Sequence, residues 1–446
     1  MSDTVVNKWL GRIVAVRPDE IRTLLWSFAY FFCLLAGYYV LRPLRDEMGI
    51  AGGVRNLPWL FTATFAVMLA AVPLFGALVA KLPRRRFIPL VYHFFVANIA
   101  IFWVLLTLDA GREHVARIFF VWISVFNLFA VSVFWSFMAD LFASEQGKRL
   151  YGFIAAGGSA GALAGPALTV WLAVPLGPVN LLVLAAVLIE MAVVCATRLE
   201  RAAAPHGIEQ SAQSRAAVAP PSEALGGGWL AGIAMVLRSR YLAGIALWVA
   251  LLSLAGTFLY FQQASIVASA SDDPAVRTRI FATIDLVVGI LTILLQFIAT
   301  GRIISRFGAG PAAAFLPAVF ALGFAALAAA PALLVVIAFQ AAQRVANFAV
   351  SNPSREVLFT VLSREEKYKA KNVIDIVVFR GADALSGWLF SALRATGLDL
   401  SGVALATIPV TAAWFVLALA LGRAQERRAR DRSSPTAEAA SASDNA

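Results

Sequence analysis

The sequence predicts an all-α membrane protein with twelve transmembrane helices arranged in two six-helix halves. Of the 446 residues, 60% are hydrophobic and only 14% are charged. A soluble chain of this size could not bury so much apolar surface, so lipid must solvate part of it. The apolar residues fall into twelve segments, and the basic residues concentrate in every second loop between them. These three observations together predict the fold class.

The twelve predicted spans each approach the 20 or so apolar residues that a helix needs to cross the hydrocarbon of a bilayer. The first six lie at 22–42, 57–80, 87–108, 115–139, 150–174 and 178–197, and the second six at 240–268, 279–300, 310–330, 332–350, 371–394 and 400–422. A stretch rich in Ala, Pro, Ser and Gly, 198–228, separates the two sets and is typical of a flexible linker. We therefore expect an N-terminal half over 1–197, a cytoplasmic linker over 198–228, a C-terminal half over 229–422 and a disordered cytoplasmic tail over 423–446.

The basic residues predict the orientation. If the N-terminus is cytoplasmic, the cytoplasmic segments hold 27 of the 37 Lys and Arg and the opposite loops hold 8. Positive residues are enriched on the cytoplasmic side of membrane proteins, so both termini are expected inside the cell. This distribution explains the net charge of +11 better than nucleic-acid binding does. The first apolar segment is expected to be a retained helix of a multi-pass protein in the inner (plasma) membrane, because no small-residue cleavage site follows it.

The two halves also carry similar loops. Residues 76–86 (GALVAKLPRRR) follow the second span, and residues 301–308 (GRIISRFG) follow the eighth. Both resemble the loop signature of the major facilitator superfamily, although Ala80 and Ser305 stand where that signature has an acid. The glycine allows helices to approach closely, and the bases can contact helix ends and lipid headgroups. The resemblance implies paired six-helix repeats around a central binding site.

Ionisable residues inside the predicted spans are the candidate functional residues, because charge in lipid is costly and often marks a transport pathway. They are Arg42, Arg45, Asp46, Asp140, Asp285, Arg344, Asp375, Arg380 and Asp383. Each could instead belong to an internal ion pair: Arg380 and Asp383 are three residues apart on one helix face, and Asp46 could serve Arg42. Arg45 and Arg344 have no obvious acid nearby in sequence, which favours a position facing a cavity.

Other chemistry is not expected. The three histidines, at 93, 114 and 206, lack the spacing of metal ligands, and no Walker-type loop is present, which argues against an ATP-driven pump. The glycine-rich stretch 157–166 lies within an apolar span and predicts a helix-packing face rather than a phosphate-binding loop. We therefore expect a protein that is not an enzyme and holds no cofactor or metal.

Three collinear stretches resemble the ATP/ADP antiporters of plastids and intracellular bacteria, a branch of the major facilitator superfamily. Residues 38–46 (YYVLRPLRD) resemble the end of the first helix in those carriers. Residues 134–140 (FWSFMAD) with 148–152 (KRLYG) resemble the passage from the fourth helix to the fifth. Residues 352–356 (NPSRE) with 369–375 (KAKNVID) resemble the passage from the tenth helix to the eleventh. The resemblance is spread over most of the chain.

The resemblance implies roles for particular residues. Arg45 and Asp140 occupy positions that those carriers need for transport, and Arg355 and Glu356 match a Lys-Glu pair. Arginine can hold phosphate oxygens with two parallel hydrogen bonds. The chain also departs from the pattern: Asp383 stands where the carriers have a lysine. Gln262 or Gln263 replaces an acid of their seventh helix.

The leading hypothesis is a monomeric secondary transporter that works by alternating access. It would move a small anionic or phosphorylated solute, and the resemblance implies a nucleotide moved by exchange. The first alternative is proton-coupled transport of another solute or of a lipid-like amphiphile, with Asp140, Asp285 or Asp383 as proton sites. The second is a membrane sensor or scaffold that does not transport, since fold alone does not determine function. The bilayer is the only other partner expected, and nucleic acid is not.

The orientation can be tested by cysteine labelling. With Cys33 and Cys195 replaced, we expect a membrane-impermeant maleimide applied from outside to label Ser271→Cys and not Ser214→Cys. The reason is that the linker lies on the cytoplasmic side and the loop near position 271 lies outside. Permeabilised cells, in which both positions should react, provide the control. Labelling of position 214 in intact cells would contradict the predicted topology.

Overall fold

The computed structural model describes residues 16–17, 20–81, 84–142, 144–203, 229–298, 309–363, 366, 369–371 and 373–432. Its thirteen described helices are α1 (Ile21–Ala51), α2 (Leu57–Lys81), α3 (Arg84–Thr107), α4 (Arg112–Leu141), α5 (Ser144–Leu176), α6 (Leu181–Ala203), α7 (Trp229–Arg238), α8 (Arg240–Ala270), α9 (Pro274–Ile298), α10 (Ala309–Ala329), α11 (Leu333–Leu358), α12 (Phe379–Ala395) and α13 (Leu400–Arg432).

Ten candidate membrane spans lie in the described part of the chain, by the criteria of length and apolar composition. They coincide with ten of the twelve predicted spans, and the protein is therefore a multi-pass, all-helical membrane protein. The other two predicted spans, 279–300 and 371–394, correspond to α9 and α12. Arg277, Arg279 and Asp285 lie in α9. Helix α12 has only 17 residues and begins after a π-helical segment, Val373–Val378.

Several predicted boundaries differ from the structure. Helix α1 continues to Ala51, past the predicted end at 42, because residues 43–51 keep their helical hydrogen bonds beyond Pro43. Disorder was predicted from residue 423. In the structure, helix α13 continues through the basic residues to Arg432. The linker prediction falls mostly on residues 204–228, which lie outside the described residues, as do 433–446 and the second basic loop, 301–308.

The described chain divides into two compact units. The first comprises Met1–Asn56, Ala66–Ala224 and Ser271–Gly289, and the second comprises Leu57–Phe65, Leu225–Ala270 and Ile290–Ala446. Each unit therefore includes a short piece of the other predicted half: the start of α9 belongs to the first unit, and the start of α2 belongs to the second.

In the first unit, α1 is the central helix and packs against α4, α5 and α6. Its contact with α5 depends on the glycines of the 157–166 stretch. A Cβ atom built on Gly161 would lie 2.3 Å from the carbonyl oxygen of Phe32, and one built on Gly165 would lie 2.7 Å from that of Ala36. No side chain fits at these distances, so the glycines allow the two backbones to touch. This stretch is a packing face, as the sequence predicts.

In the second unit, α8 packs against α12 and α13, and α10 packs against α13. Gly310 and Gly422 bring α10 and α13 together in the same way, since a Cβ on Gly422 would lie 2.1 Å from the Cα atom of Gly310. Helix α11 contains a π-helical turn, Asn347–Ser351, just before Pro353. Proline has no N–H to donate to the preceding turn, and π-turns often mark functional segments.

The glycine contact between α1 and α5 generates a stability prediction. We expect Gly161→Ala to destabilise the protein by about 1–3 kcal/mol, because the added methyl group overpacks the interface. Gly152→Ala is the matched control on the same helix: among the described atoms, nothing lies within 4 Å of the position of its Cβ. The apparent Tm of the purified protein in detergent measures both effects. Equal Tm values for the two variants would contradict the close packing.

Candidate functional site

The first charged cluster, in the first unit, joins α1 to α9. The Arg42 guanidinium lies 3.4 Å from a carboxylate oxygen of Asp285, and the Arg277 guanidinium lies 2.9 Å from a carboxylate oxygen of Glu47. The side chains of Glu47 and Asp285 are 0% and 2% exposed. A buried carboxylate of this kind requires a cation beside it. The two pairs therefore hold α1 against α9, two helices that belong to opposite predicted halves.

Arg45 and Asp46 form a neighbouring pair, and this corrects one expectation. The Nε and Nη2 atoms of Arg45 donate to one oxygen of Asp46 at 3.0 and 2.8 Å, and the Arg45 guanidinium lies 4.9 Å from the centre of the Phe120 ring. We expected Asp46 to serve Arg42, four residues away, and Arg45 to have no acid nearby. Instead, Asp285 of α9 is the acid beside Arg42, and the acid next in sequence bonds Arg45. Asp140 lies exposed near the end of α4.

Glu20 connects the beginnings of α1 and α5. Its carboxylate accepts hydrogen bonds from the Arg17 backbone N–H at 3.0 Å, from Gln146 at 3.0 Å and from Arg149 at 2.9 Å. Burial alone would raise the pKa of Glu20, but these three hydrogen bonds together hold its pKa below the ordinary value. Arg149 belongs to the stretch 148–152, which resembles the antiporters. In this structure its contact is with Glu20 and connects two helices.

In the second unit, the family-like residues of α11 pair with the segment that precedes α12. Arg355 lies 3.2 Å from Asp375, and Lys371 donates to both oxygens of Glu356 at 2.7 Å. The two stretches, 352–356 and 369–375, were identified separately in the sequence, and the fold brings them into contact. They form a cluster in which Arg355 has Asp375 beside it and Lys371 has Glu356 beside it.

A second cluster of the same unit centres on Asp383 of α12. One carboxylate oxygen of Asp383 lies 3.3 Å from Arg380, so these two residues of one helix face are in contact. The other carboxylate oxygen accepts from the hydroxyls of Ser253 at 2.5 Å and Thr257 at 3.2 Å, both on α8. The Arg380 side chain is 38% exposed, more than the arginine of any other pair described so far in this section.

Amide side chains form a third group in this unit. Gln263 of α8 accepts a hydrogen bond from Gln340 of α11, whose own amide oxygen accepts from Gln343 at 3.0 Å. Gln262 is fully buried, and neither its oxygen nor its nitrogen has a hydrogen-bond partner among the described residues. Arg344 lies half-buried beside Gln343 on α11. These amides can donate and accept hydrogen bonds but carry no charge. The antiporters that the sequence resembles have an acid at the position of Gln262 or Gln263.

The charged clusters of the two units share one chemical property. The arginines at 42, 45, 355 and 380 each contact a carboxylate of the protein. Such a guanidinium would bind an incoming anion most strongly when its carboxylate is displaced or neutralised. The cavity-facing positions expected for Arg45 and Arg344 remain predictions.

The sequence analysis missed Glu47, Arg277, Ser253 and Thr257. Glu47 was overlooked because the first span was expected to end at 42, and Arg277 because it was assigned to a loop. The sequence contained a signal that both residues lie in helices. Glu47 continues the helical spacing from Pro43. Arg277 lies within one turn of Pro274, a residue typical of a helix start. Ser253 and Thr257 are uncharged, and nothing in a single sequence marks two hydroxyls of an apolar span as partners of a distant acid.

No family model and no curated protein matches the chain. Solved structures do match its fold. A bacterial homologue of the iron transporter ferroportin in an inward-facing state superposes with a TM-score of 0.63 at 12% identity, over 91% of this chain and 98% of that one. The nucleoside transporter NupG gives 0.59 at 13% identity, over 92% and 99%. A bacterial homologue of the human lysosomal transporter Spinster gives 0.56 at 15%, over 94% and 100%. The chain therefore shares its fold with these transporters.

The buried pair between Glu47 and Arg277 yields a prediction. Glu47→Gln or Arg277→Gln alone should destabilise the protein by about 3–5 kcal/mol, because either change leaves a buried charge without its partner. The double variant should recover part of this loss. Apparent Tm values of the four proteins in detergent provide the double-mutant cycle, with the exposed pair Arg430 and Glu426 as the control cycle. A double variant as unstable as the sum of the singles would show that the two charges do not interact.

Proposed function

We propose that this protein is a secondary transporter that works by alternating access and moves an anionic, phosphorylated solute by exchange. The solute class is that of the ATP/ADP antiporters that its sequence resembles. In this proposal the protein is a monomer with twelve transmembrane helices in two six-helix halves, in the inner membrane, with both termini in the cytoplasm. The observation that carries the proposal is the set of four arginines, each held against a carboxylate of the protein.

The physical argument starts from the cost of an arginine in lipid. A guanidinium in the membrane costs about 3 kcal/mol or more unless an anion accompanies it. Intramolecular carboxylates supply that anion in the structure. A phosphate group could replace a carboxylate at the same guanidinium, with two parallel hydrogen bonds, while the local charge changes little. The arginine would then have an anion beside it at every stage of the cycle, the phosphate when the solute is bound and the carboxylate when it is not. Exchange of one solute for another is taken from the antiporters that the sequence resembles.

The ion pair between Arg42 of α1 and Asp285 of α9 supports alternating access. It connects helices that belong to opposite predicted halves, and the Arg42 side chain is 21% exposed. A charged contact of this kind can be exchanged for another partner or for water without exposing apolar surface. A scaffold protein would have no need for contacts of this kind to open.

Transport can be tested directly with the whole protein. Reconstituted in liposomes loaded with ADP, it should take up labelled ATP or ADP, and uptake should require a nucleotide inside. Liposomes loaded with buffer alone and liposomes without protein are the controls. A panel of unrelated carboxylates and inorganic phosphate tests the solute class. Binding without uptake of any member of the panel would favour the sensor or scaffold alternative.

The binding residues can be tested by ligand-induced thermal stabilisation. We expect Arg45→Gln and Arg344→Gln each to weaken stabilisation by the nucleotide about 10- to 100-fold in ligand concentration, because each removes a charge-assisted hydrogen bond. Arg45→Lys should retain part of the effect. Arg394→Gln is the control, since Arg394 is exposed and donates to the Leu398 carbonyl.

The pairing of Arg45 with Asp46 requires one further variant. Arg45→Gln leaves Asp46 without this partner, so a loss of stabilisation could reflect a changed fold. The double variant Arg45→Gln/Asp46→Asn removes both charges and should keep the Tm of the unliganded protein near that of the wild type. If this variant and Arg344→Gln respond fully to the nucleotide, these arginines are structural and the proposed role is wrong.

A further inference from the structure

Helix α13 is longer than the membrane requires. Its 33 residues span about 50 Å at 1.5 Å per residue, whereas the hydrocarbon of a bilayer is about 30 Å thick. The apolar residues 400–422 already cover that thickness, and the ten residues that follow hold five arginines and two acids, Glu426 and Asp431. Because the helix is continuous to Arg432, its last turns pass through the layer of lipid headgroups.

Three of these arginines lie on one exposed face of α13. Arg423, Arg427 and Arg430 follow the spacing i, i+4 and i+7, which places them on one side of a helix, and all three are exposed. Glu426 lies 4.0 Å from Arg430, and both side chains are open to solvent, so this pair is weak. Within the described part of the chain, Arg423 and Arg427 form no ion pair.

The fold brings a second basic segment to the same place. Arg238 ends α7 and Arg240 begins α8, and both side chains are exposed. The guanidinium of Arg428 lies 4.5 Å from the centre of the Tyr241 ring, so the start of α8 contacts the extension of α13. The Tyr241 hydroxyl donates to the Leu358 carbonyl at 2.8 Å, which holds the ring in position. Two basic segments that are far apart in the sequence therefore lie side by side.

The surroundings of these arginines are those of a membrane interface. Leu237 directly precedes Arg238 and is 76% exposed. An exposed apolar side chain beside bases is typical of a helix at the interface, where the apolar group enters the acyl chains and the bases reach the headgroups. One turn into α8, a Cβ on Gly244 would lie 2.9 Å from a methyl carbon of Leu421, so α8 and α13 touch where the apolar residues end.

We propose that the exposed arginines of α7, α8 and α13 form a basic surface that binds the headgroups of anionic phospholipids such as phosphatidylglycerol. The basic surface consists of Arg238, Arg240, Arg423, Arg427, Arg428 and Arg430. Lipid phosphate here supplies the counter-anion that the protein's own carboxylates supply to the arginines of the candidate functional site. The inference does not depend on the proposed function.

The charge of the basic surface favours anionic over zwitterionic lipids. Its six arginines exceed the two acids of the α13 extension, Glu426 and Asp431, by four charges. Clusters of about four to eight basic residues beside a membrane-spanning helix attract anionic headgroups. Phosphatidylcholine has no net charge and gains little from such a surface. A lipid fits better than a free anion, because its phosphate is already held at the height of the arginines and its acyl chains adjoin Leu237.

The test uses purified full-length protein in a neutral detergent at low ionic strength. We expect short-chain phosphatidylglycerol to raise the Tm with saturation, and phosphatidylcholine with the same acyl chains to leave it nearly unchanged. Added NaCl should raise the half-effective concentration of phosphatidylglycerol, because salt screens exposed charges. The triple variant Arg423→Gln/Arg427→Gln/Arg430→Gln should raise that concentration about 10- to 100-fold at low salt, since each arginine near a membrane surface contributes about fivefold.

A second variant tests the other segment of the basic surface. Arg238→Gln/Arg240→Gln should raise the half-effective concentration about tenfold, as expected if α7 and α8 face the same headgroups as α13. If the triple variant does not fold, this double variant still decides the question. Arg55→Gln/Arg394→Gln is the matched control, because it removes two exposed arginines from loops predicted on the opposite side of the membrane. It should respond like the wild type.

Removal of the acids provides a change in the opposite direction. Glu426→Gln/Asp431→Asn increases the positive charge of the α13 extension without touching an arginine. We expect this variant to lower the half-effective concentration of phosphatidylglycerol about fivefold. A helix extension with a purely structural role would change the Tm of the lipid-free protein and leave the response to phosphatidylglycerol as it is in the wild type.

Three outcomes would overturn the proposal. Equal stabilisation by phosphatidylglycerol and phosphatidylcholine would indicate an effect of the acyl chains alone. A response to phosphatidylglycerol that is unchanged in both the triple variant and Arg238→Gln/Arg240→Gln would exclude these arginines. Equal stabilisation by ADP or inorganic phosphate, lost in the triple variant, would indicate a site for free anions. The measurement requires no uptake, so a failure of the proposed transport would leave the lipid-binding surface in place.

Discussion

The cost of placing a charge in the membrane governs the arrangement of this protein. Its arginines lie in helices that otherwise consist of apolar residues, and each of four contacts a carboxylate. A lone guanidinium or carboxylate in such surroundings would cost several kcal/mol, so the charges must be matched locally. The matched pairs in turn decide which helices touch: α1 meets α9, and the end of α11 meets the segment before α12. The pairing of charges and the packing of helices therefore constrain each other.

Glycine solves the complementary problem of bringing helices close. Lipid tails are as apolar as the helix surfaces, so helix packing gains little from the hydrophobic effect and depends on close contact. Gly161 and Gly165 place α5 against the backbone of α1, and Gly310 with Gly422 does the same for α10 and α13. These contacts fix the distance between helices, and the ion pairs add specificity about which residues face each other. A run of small residues in the sequence indicates the close contact between helices. No such run indicates which charged residues of different helices will pair.

The difference explains what the sequence could and could not predict. Apolar segments of the right length identify ten of the described helices, since length and composition are local properties. The pair of Arg380 and Asp383 follows from helical spacing for the same reason. The partner of Arg42 could not be read in this way, because Asp285 lies 243 positions away and meets it only after folding. Asp46 was a reasonable local candidate for the partner of Arg42, but in the structure it pairs with Arg45.

The pairs also differ in how easily they can open. Glu47 and Arg277 are 0% and 11% exposed, so separating them would leave a buried carboxylate without a cation. Arg380 is 38% exposed, and Asp383 keeps two hydroxyl partners when the arginine leaves. The guanidinium can then be hydrated or can bind an anion, and the carboxylate keeps the hydrogen bonds from the two hydroxyls. The same interaction can thus be permanent at one position and exchangeable at another, and the degree of burial decides which. The proposed transport cycle requires both kinds, because one set of pairs must preserve the fold while another exchanges its partners.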